Sequence, residues 1–254
     1  MPDVASESVA PHVAICRIDR PQQRNALTSD LMASLADQLE QLDRDPEVRC
    51  IIVAGTAKVF ASGADAGGPP GLERGTYEEA AEFWSRLGGL ETPMIAAVSG
   101  WALGSGCELA LACDMCVAAK GTQFGQPEVT LGMIPGGGAT QRLTRVIGKQ
   151  RTMSLVLTGR RWSAEQGREW GLVNSLTPPT TWLEEATDLA REVAARAPIA
   201  TRLGKRAVLA ADQLPLDQGL ETERELCKQT LVSEDRIEGV KALAEGRRPE
   251  FQGR

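Results

Sequence analysis

Two glutamates stand out in this sequence because they lie in a stretch that carries almost no other charge. Residues 92–141 hold only four charged side chains, where about 12 are expected at the chain's average of 24%. The four are Glu108, Asp114, Lys120 and Glu128. The other residues are small or apolar, so the segment is predicted to be buried. A buried carboxylate is unfavourable unless it is paired or used.

Both glutamates have surroundings suited to acid–base chemistry. Glu108 lies in GCELALAC, directly after a Gly-Ser-Gly turn, and Glu128 follows a Gln-Pro pair in a glycine-rich, apolar region. Apolar surroundings shift carboxyl pKa values, and two shifted carboxylates can serve as acid and base. A structural, hydrogen-bonded role is the alternative for either residue. The spacing by itself does not show that the two meet.

The elements that position Glu108 are a buried strand over Pro93–Ser99, a turn, and a helix from about Ser105 to Ala112. A helix N-terminus presents free N–H groups and the positive end of its dipole. Glu108 lies one turn inside this helix, on the same side as Ser105. The spacing therefore predicts a hydrogen-bond donor at the helix start with a carboxylate close behind it.

The rest of the chain alternates strands and helices and then becomes helical. Further strands are predicted over His12–Asp19, Cys50–Gly55, Asp114–Ala119 and Leu172–Leu176. Helices are predicted from Thr28 to about Asp43, from Thr76, over 141–147 and 149–157, after Ser163, and over about 182–196, 199–211, 217–230 and 234–245. We expect a core domain over residues 1–195 and a helical region over 196–254.

Composition excludes several other classes of protein. The net charge of -6 argues against a general nucleic-acid binder, and no apolar run is long enough for a membrane span. The N-terminus lacks the features of a secretory signal, and six cysteines suit a reducing cytoplasm. With a single histidine, His12, a zinc site or a Ser-His-Asp triad is not expected. The run Gly136–Gly138 allows a phosphate cradle but lacks the lysine of a Walker A loop.

Several segments together resemble the enoyl-CoA hydratase/isomerase (crotonase) family. They are RPQQRNAL, VFASGADAGG, GWALGSGCELALACD, FGQPEVTLGMIPGGGATQRLTRVIG, LTGRRWSAEQGREWGLVNSL and SEDRIEGVKALAEGRRPEF. They occur in the family's order, from about residue 12 to residue 251. The resemblance implies an α/β fold, the crotonase (ClpP-like) spiral of ββα units, with a C-terminal all-helical trimerisation region.

The resemblance also implies roles for particular residues. Glu108 and Glu128 are expected to be catalytic, with Glu108 as the base and Glu128 as the proton donor to C2. The backbone N–H groups of Ala64 and Ser105 are expected to form the oxyanion hole. Contacts to substrate and CoA are expected from Arg24, Ala26, Ala64, Asp65, Ala66, Gly67 and Gln126. Gly67 and Gly68 stand where the family often has a lysine, which leaves one phosphate contact open.

The function expected from these features is hydration of trans-2-enoyl-CoA to 3-hydroxyacyl-CoA, as in fatty-acid β-oxidation or related acyl-CoA catabolism. An enoyl-CoA isomerase or another enolate-stabilising reaction is the alternative, because fold does not settle reaction. A non-catalytic acyl-CoA-binding protein is an alternative of another class. We expect no cofactor besides the CoA of the substrate, no bound metal, assembly as a homotrimer or a dimer of trimers, no nucleic-acid or membrane partner, and a cytoplasmic location.

Overall fold

The structure is a computed structural model that describes residues 3–63 and 74–254, with the backbone alone for residues 74–77. Its described part contains nine strands: β1 Val4–Ala10, β2 Val13–Ile18, β3 Cys50–Ala54, β4 Met94–Val98, β5 Trp101–Leu103, β6 Met115–Ala119, β7 Gln123–Gly125, β8 Arg161–Ser163 and β9 Ser175–Thr177. The α-helices described are α1 Ser29–Arg44, α2 Arg74–Gly88, α3 Ser105–Ala112, α4 Ala139–Thr158, α5 Ala164–Trp170, α6 Trp182–Ala194, α7 Pro198–Ala210, α8 Leu216–Leu231 and α9 Glu234–Glu245.

Six strands form the central sheet in the order β1-β2-β3-β4-β6-β9. Strand β1 pairs antiparallel with β2, and each remaining neighbouring pair is parallel. Successive residues of β3 point to opposite faces, so Ile51 and Val53 join one apolar cluster while Ile52 and Ala54 join the other. Both faces of the sheet are therefore covered, as parallel sheets require.

Helices cover the two faces unequally. One face packs against α1, α3 and α4 through a cluster that includes Leu35, Leu109 and Leu143. The other face packs against α6, where the small side chains of Ala186 and Ala190 let the helix lie close to the strands. The larger cluster lies on the α3 side, so the helix that carries Glu108 is anchored in the main core.

A second sheet of three short strands, in the order β5-β7-β8, positions the glutamates. Strands β5 and β7 are parallel, so the chain leaves both at the same edge. Strand β5 leads through Gly104 into α3, and β7 ends at Gly125, just before the segment that carries Glu128. The small sheet thus brings the start of α3 next to that segment.

Most predicted elements are confirmed, with shifts at their ends. The helix after Thr28 begins as predicted, because the Thr28 hydroxyl accepts a hydrogen bond from the Leu31 N–H (3.3 Å). The helices predicted on either side of Gly148 are continuous in α4, which kinks where Gly148 adopts φ 78° and ψ 163°. The strand predicted over 172–176 is shorter and later, and becomes β9.

Four strands were not predicted. Strand β1 consists largely of exposed residues, so it lacks the alternation of a half-buried strand, and it is held by its antiparallel pairing with β2. Strands β5, β7 and β8 have three residues each, too few for a period to be read. The segment 100–104, expected to be a turn, therefore contains a short strand that pairs with β7.

The C-terminal helices α7, α8 and α9 agree with the predicted positions, and α7 packs against α8. Lys205 of α7 forms a largely buried ion pair with Asp114 (2.9 Å) and donates to the Thr92 carbonyl (3.1 Å), which ties α7 to the core. The division at residues 195 and 196 stays a prediction. In the part of the chain that the structure describes, no helix is both long and apolar enough to span a bilayer.

Candidate active site

Glu108 is buried and held by the backbone at the start of α4. Its Oε1 accepts hydrogen bonds from the N–H groups of Gly137 (2.7 Å) and Ala139 (3.0 Å), and the residue is only 1% exposed. Burial raises the pKa of the Glu108 carboxyl, and the N–H donors and the charge of Arg142 offset part of that rise. The carboxylate is therefore fixed in orientation and remains a usable base.

The glycine run before α4, Gly136–Gly138, binds a side chain of the protein itself and not a phosphate group. Gly138 is the N-cap residue of α4 with φ 107°, a conformation that favours glycine. It turns the backbone so that the N–H groups on either side of it point at Glu108. The run is thus a cradle for a carboxylate of the chain itself, and the phosphate-cradle alternative is not supported.

Glu128 lies at the start of a short 3-10 helix, Glu128–Leu131, and is partly buried. Burial raises the pKa of its carboxyl to about 7, and the negative charge of Glu108 adds to the rise. Glu128 also lies against Gly104, the N-cap residue of the helix that carries Glu108, so the two carboxylates, 20 residues apart in sequence, belong to one site. At neutral pH, Glu128 can hold or release a proton, as a general acid must.

Gln126 is completely buried beside Glu128. When its amide nitrogen faces the carboxylate, it donates to both Glu128 oxygens, at 3.0 and 3.2 Å. This contact orients the Glu128 side chain. The direct contact with substrate expected of Gln126 stays a prediction, as does that of Ala26, which is buried next to the Arg24 turn.

The start of α3 lies directly against Glu128. Gly104 adopts φ 52° and ψ -128°, and a Cβ added there would lie 3.0 Å from Oε1 of Glu128. Ser105 is the first residue of α3, and the first N–H groups of a helix have no partner within it. Gly106 packs so tightly that an added Cβ would lie 2.3 Å from the Ala61 carbonyl oxygen. The expected donor at Ser105 therefore opens beside a titratable carboxylate.

The other half of the predicted oxyanion hole is not described. Ala64, Asp65, Ala66 and Gly67 lie outside the described residues, so their expected roles stay predictions. Gly63, which precedes them, lies against the start of α3: its added Cβ would lie 2.9 Å from the Leu103 carbonyl oxygen and 3.6 Å from the Gly104 Cα. Gly63 thus lies beside Gly104, the residue that precedes Ser105.

Arg24 lies in an exposed turn that is fixed from beneath by Asn25. Both residues have φ 53°, and the buried Asn25 amide donates to the carbonyls of Ile18, Val59 and Phe60. Asn25 thereby joins the Arg24 turn to the segment that precedes Gly63. Sequence reasoning assigned no role to Asn25, although asparagine is one of the residue types that tolerate a positive φ.

Arg24 lines a cleft of roughly 730 Å³ that sequence reasoning found only in part. Lys58, Arg161 and Trp101 line the same cleft, and the Arg161 guanidinium stacks over the Trp101 ring at 4.4 Å. Three cations and no acidic residue are among the lining residues described, so the cleft favours an anion. Lys58 and Arg161 line the same cleft although 103 residues separate them in the chain, so their proximity could not be predicted from the sequence.

The arrangement can move two protons around a bound molecule. The Glu108 carboxylate is fixed and oriented to accept a proton, and the pKa of Glu128 is about 7. The N-terminus of α3 lies beside Glu128. Leu103, which directly precedes Gly104, also lines the cleft that holds three cations. Among residues 3–63 and 74–254, no group of three or more His, Cys, Asp or Glu residues is placed to hold a metal ion.

Comparison with known proteins gives the same family over almost the whole chain. A family model described as enoyl-CoA hydratase/isomerase matches residues 9–254. A probable enoyl-CoA hydratase of Mycobacterium leprae is 43% identical, with 95% of each chain covered. A 2,3-dehydroadipyl-CoA hydratase of Escherichia coli is 39% identical, covering 95% of this chain and 96% of the relative.

Solved structures agree in fold. A crystal structure of an enoyl-CoA hydratase from Bacillus anthracis superposes with a TM-score of 0.96 at 36% identity, with both chains fully covered. A second, from Geobacillus kaustophilus, has a TM-score of 0.94 at 40% identity, with 100% and 99% covered. The expected crotonase fold is therefore confirmed, and the chain belongs to the enoyl-CoA hydratase/isomerase family.

Proposed function

We propose that this chain is an enoyl-CoA hydratase, which adds water reversibly to a trans-2-enoyl-CoA to give a 3-hydroxyacyl-CoA. The observation that carries the proposal is the pair of buried carboxylates, one fixed by backbone donors and one with a pKa of about 7. The shared family and the hydratase names of relatives at about 40% identity support it.

In the proposed reaction, Glu108 accepts a proton from water while the water oxygen bonds to C3. The electron pair of the C2=C3 bond moves toward the thioester, whose oxygen gains negative charge. The N–H of Ser105, with that of Ala64 as its expected partner, stabilises this charge, and one such donor contributes about 3–4 kcal/mol in other enzymes. Glu128 then delivers its proton to C2, so that H and OH have been added across the double bond.

The different environments of the two glutamates support this division of roles. Both N–H groups of the α4 cradle point at Glu108, which favours its charged form. Fewer hydrogen-bond donors offset the burial of Glu128, so its carboxyl keeps a proton up to about pH 7. Isomerisation of a double bond needs only one base to carry a proton between carbons, so the presence of two suited carboxylates favours hydration.

We also propose an oligomeric state and a cellular location for the enzyme. The many exposed apolar side chains of α8, α9 and the segment between them, including Leu216, Val232 and Leu243, support assembly as a homotrimer or a dimer of trimers. All six cysteines are free, which supports a reducing, cytoplasmic location. The proposed chemistry uses CoA as part of the substrate and needs no cofactor.

The proposal is tested by incubating the purified protein with crotonyl-CoA and, separately, with a 3-enoyl-CoA. We expect crotonyl-CoA to give a product heavier by one water, detected by mass spectrometry. Conversion of the 3-enoyl-CoA to its 2-enoyl isomer without any gain of water would support the isomerase instead. Tight binding of both compounds without conversion would support the non-catalytic alternative.

A further inference from the structure

Two charged side chains contact the glycine run that precedes α4. Glu108 accepts hydrogen bonds from the N–H groups of Gly137 and Ala139. Arg142 donates from its Nη1 to the Gly137 carbonyl (2.8 Å), and a Cβ added to Gly138 would collide with the same nitrogen. The same short stretch of backbone therefore receives a cation at its carbonyl and presents its N–H groups to a carboxylate.

The position of Arg142 is unfavourable for α4 itself. Arg142 is the fourth residue of this helix, close to the positive end of the helix dipole, and the first turn carries no acidic residue. The side chain is also partly buried, although arginine is among the residue types that are mostly exposed. Glu108, which belongs to α3, supplies the negative charge that the start of α4 lacks. Arg142 is therefore better explained by the site than by its own helix.

Three consecutive glycines need an outside contact to keep one conformation, because glycine loses more backbone freedom on folding than any other residue. The charge-assisted hydrogen bond from Arg142 fixes the peptide that joins Gly137 and Gly138. The two donors to Glu108, the N–H groups of Gly137 and Ala139, lie one on each side of this peptide. Fixing the peptide therefore fixes the direction of both donors.

We propose that Arg142 is a positioning residue for the hydration reaction, which holds these two N–H groups on Glu108 and keeps its carboxylate charged. This inference rests on the proposed function, in which Glu108 must accept a proton from water. Arg142 does not contact the reacting atoms in this account, and it acts only through the glycine run and through its charge.

The charge of Arg142 is well placed to act on Glu108. Burial raises the pKa of the Glu108 carboxyl, the backbone N–H groups lower it, and the positive charge of Arg142 lowers it further. In the described part of the chain, the elements packed around this carboxyl bring two charged groups to it, Arg142 of α4 and Glu128, whereas α2 brings the uncharged ring of Trp84. Glu128 keeps its proton up to about pH 7, so below that pH Arg142 is the main charge that acts on Glu108.

The kinetic test measures kcat and kcat/KM for crotonyl-CoA from pH 5 to pH 9 in the wild type, Arg142→Met and Arg142→Lys. In Arg142→Met, kcat should fall about tenfold or more, because a small displacement of a catalytic group is costly. The acid limb of the profile, where Glu108 takes up a proton, should move to higher pH because a nearby positive charge is lost. Arg142→Lys keeps the charge, so its acid limb should stay in place.

Arg145→Met is the matched control. Arg145 lies on the same helix, but its guanidinium donates to the carbonyls of Gln141 and Asp212 and not to the glycine run. Its kcat should stay within twofold of the wild type, and its acid limb should not move.

A measurement that needs no catalysis separates this inference from the proposed reaction. Infrared titration of the free enzyme follows the protonated carboxyl of Glu108, identified by its loss in Glu108→Gln. This titration should move to higher pH in Arg142→Met and stay in place in Arg142→Lys. If Arg142→Met does not fold, Arg142→Gln takes its place, because its amide can still donate to the Gly137 carbonyl, and the same shift is expected.

A wild type that hydrates no enoyl-CoA, with the infrared shift present, would count against the proposed reaction only. A Glu108 titration that stays in place in a folded neutral variant would overturn the inference, even if kcat fell, because it would leave Arg142 a purely structural role. An equal shift in Arg145→Met would overturn it as well.

Discussion

At the scale of single residues, the site depends on two glutamates, Glu108 and Glu128, whose surroundings differ. Glu108 receives two backbone N–H groups, whereas Glu128 lies against Gly104 and is accompanied by a buried amide. Burial raises the pKa of both carboxyls, and that of Glu128 reaches about 7. Hydration requires one proton on the pair, with Glu128 protonated and Glu108 charged, and a Glu128 pKa of about 7 lets that residue carry the proton near neutral pH.

This proton count predicts the pH dependence of the reaction. Above about pH 7, Glu128 loses its proton, so kcat/KM for hydration should fall about tenfold per pH unit. Dehydration of the product needs the same single proton on the pair, so kcat/KM for dehydration should decrease over the same pH range. The measurement is a pH profile of kcat/KM in both directions, and a flat profile from pH 6 to 9 would contradict the assignment.

Removing the Gln126 amide should move that limb. The amide donates to the charged form of Glu128 and so favours ionisation. In Gln126→Leu, the pKa of Glu128 should rise, and the alkaline limb of the profile should move to higher pH. A limb that stays in place, in a variant with unchanged thermal stability, would show that Gln126 does not orient this carboxylate.

Gly104 offers a test of the close approach between α3 and Glu128. An added Cβ would lie 3.0 Å from Oε1 of Glu128, so Gly104→Ala should lower kcat by about a hundredfold or more by displacing the carboxylate. Gly121→Ala is a matched control, because Gly121 also has a positive φ (84°) but no heavy atom near an added Cβ. Both variants should lose stability, about 1–3 kcal/mol from backbone strain. Equal activity in the two would rule out the contact.

At the scale of elements, helix α3 is predicted to act through the N–H group of its first residue, Ser105. If Ser105 contributes its backbone N–H, Ser105→Gly should keep most of the activity, because the donor remains. Ser105→Pro should abolish activity, because proline has no N–H. Steady-state kinetics on crotonyl-CoA with circular dichroism as a fold check would decide this. A loss above about a hundredfold in Ser105→Gly would give the hydroxyl a role of its own.

The cationic cleft is the second element-scale feature, and we expect it to bind the phosphates of CoA at the far end of the substrate. Arg24→Ala should raise KM for an acyl-CoA much more than for the matching pantetheine thioester, which lacks the nucleotide phosphates. Arg44→Ala, an exposed change of the same charge on α1, should affect neither. Equal effects of Arg24→Ala on both thioesters would remove the phosphate role.

The elements that could be predicted are those with a long local pattern. Helix α1 with its Thr28 cap and the C-terminal helices follow from periodicity, and the apolar runs of β3, β4 and β6 from composition. Strands β5, β7 and β8 depend on pairing between distant three-residue segments. Glu108 and Glu128 could be identified from their charge-poor surroundings, but their meeting depends on that pairing. The contact of Arg161 with Trp101 is tertiary and leaves no local signal.

At the scale of the whole molecule, the exposed apolar residues of the C-terminal helices predict an oligomer. Val232 and Leu243 are 85% and 82% exposed, which is unfavourable unless another chain covers them. Light scattering after size exclusion should give about three or six times the 27.2 kDa chain mass. A stable, active monomer at micromolar concentration would contradict this.

The central claim is that Glu108 and Glu128 together add water to an enoyl thioester. The most direct measurement is the reaction of crotonyl-CoA in H₂¹⁸O, with mass detection of the product, for the wild type, Glu108→Gln and Glu128→Gln. We predict a labelled 3-hydroxyacyl-CoA from the wild type and a loss of about a hundredfold or more in each variant. The double variant should be little worse than the poorer single one, because groups that act as a unit are not additive. Absence of label for every enoyl chain length, together with conversion of a 3-enoyl-CoA to the 2-enoyl-CoA, would contradict the account.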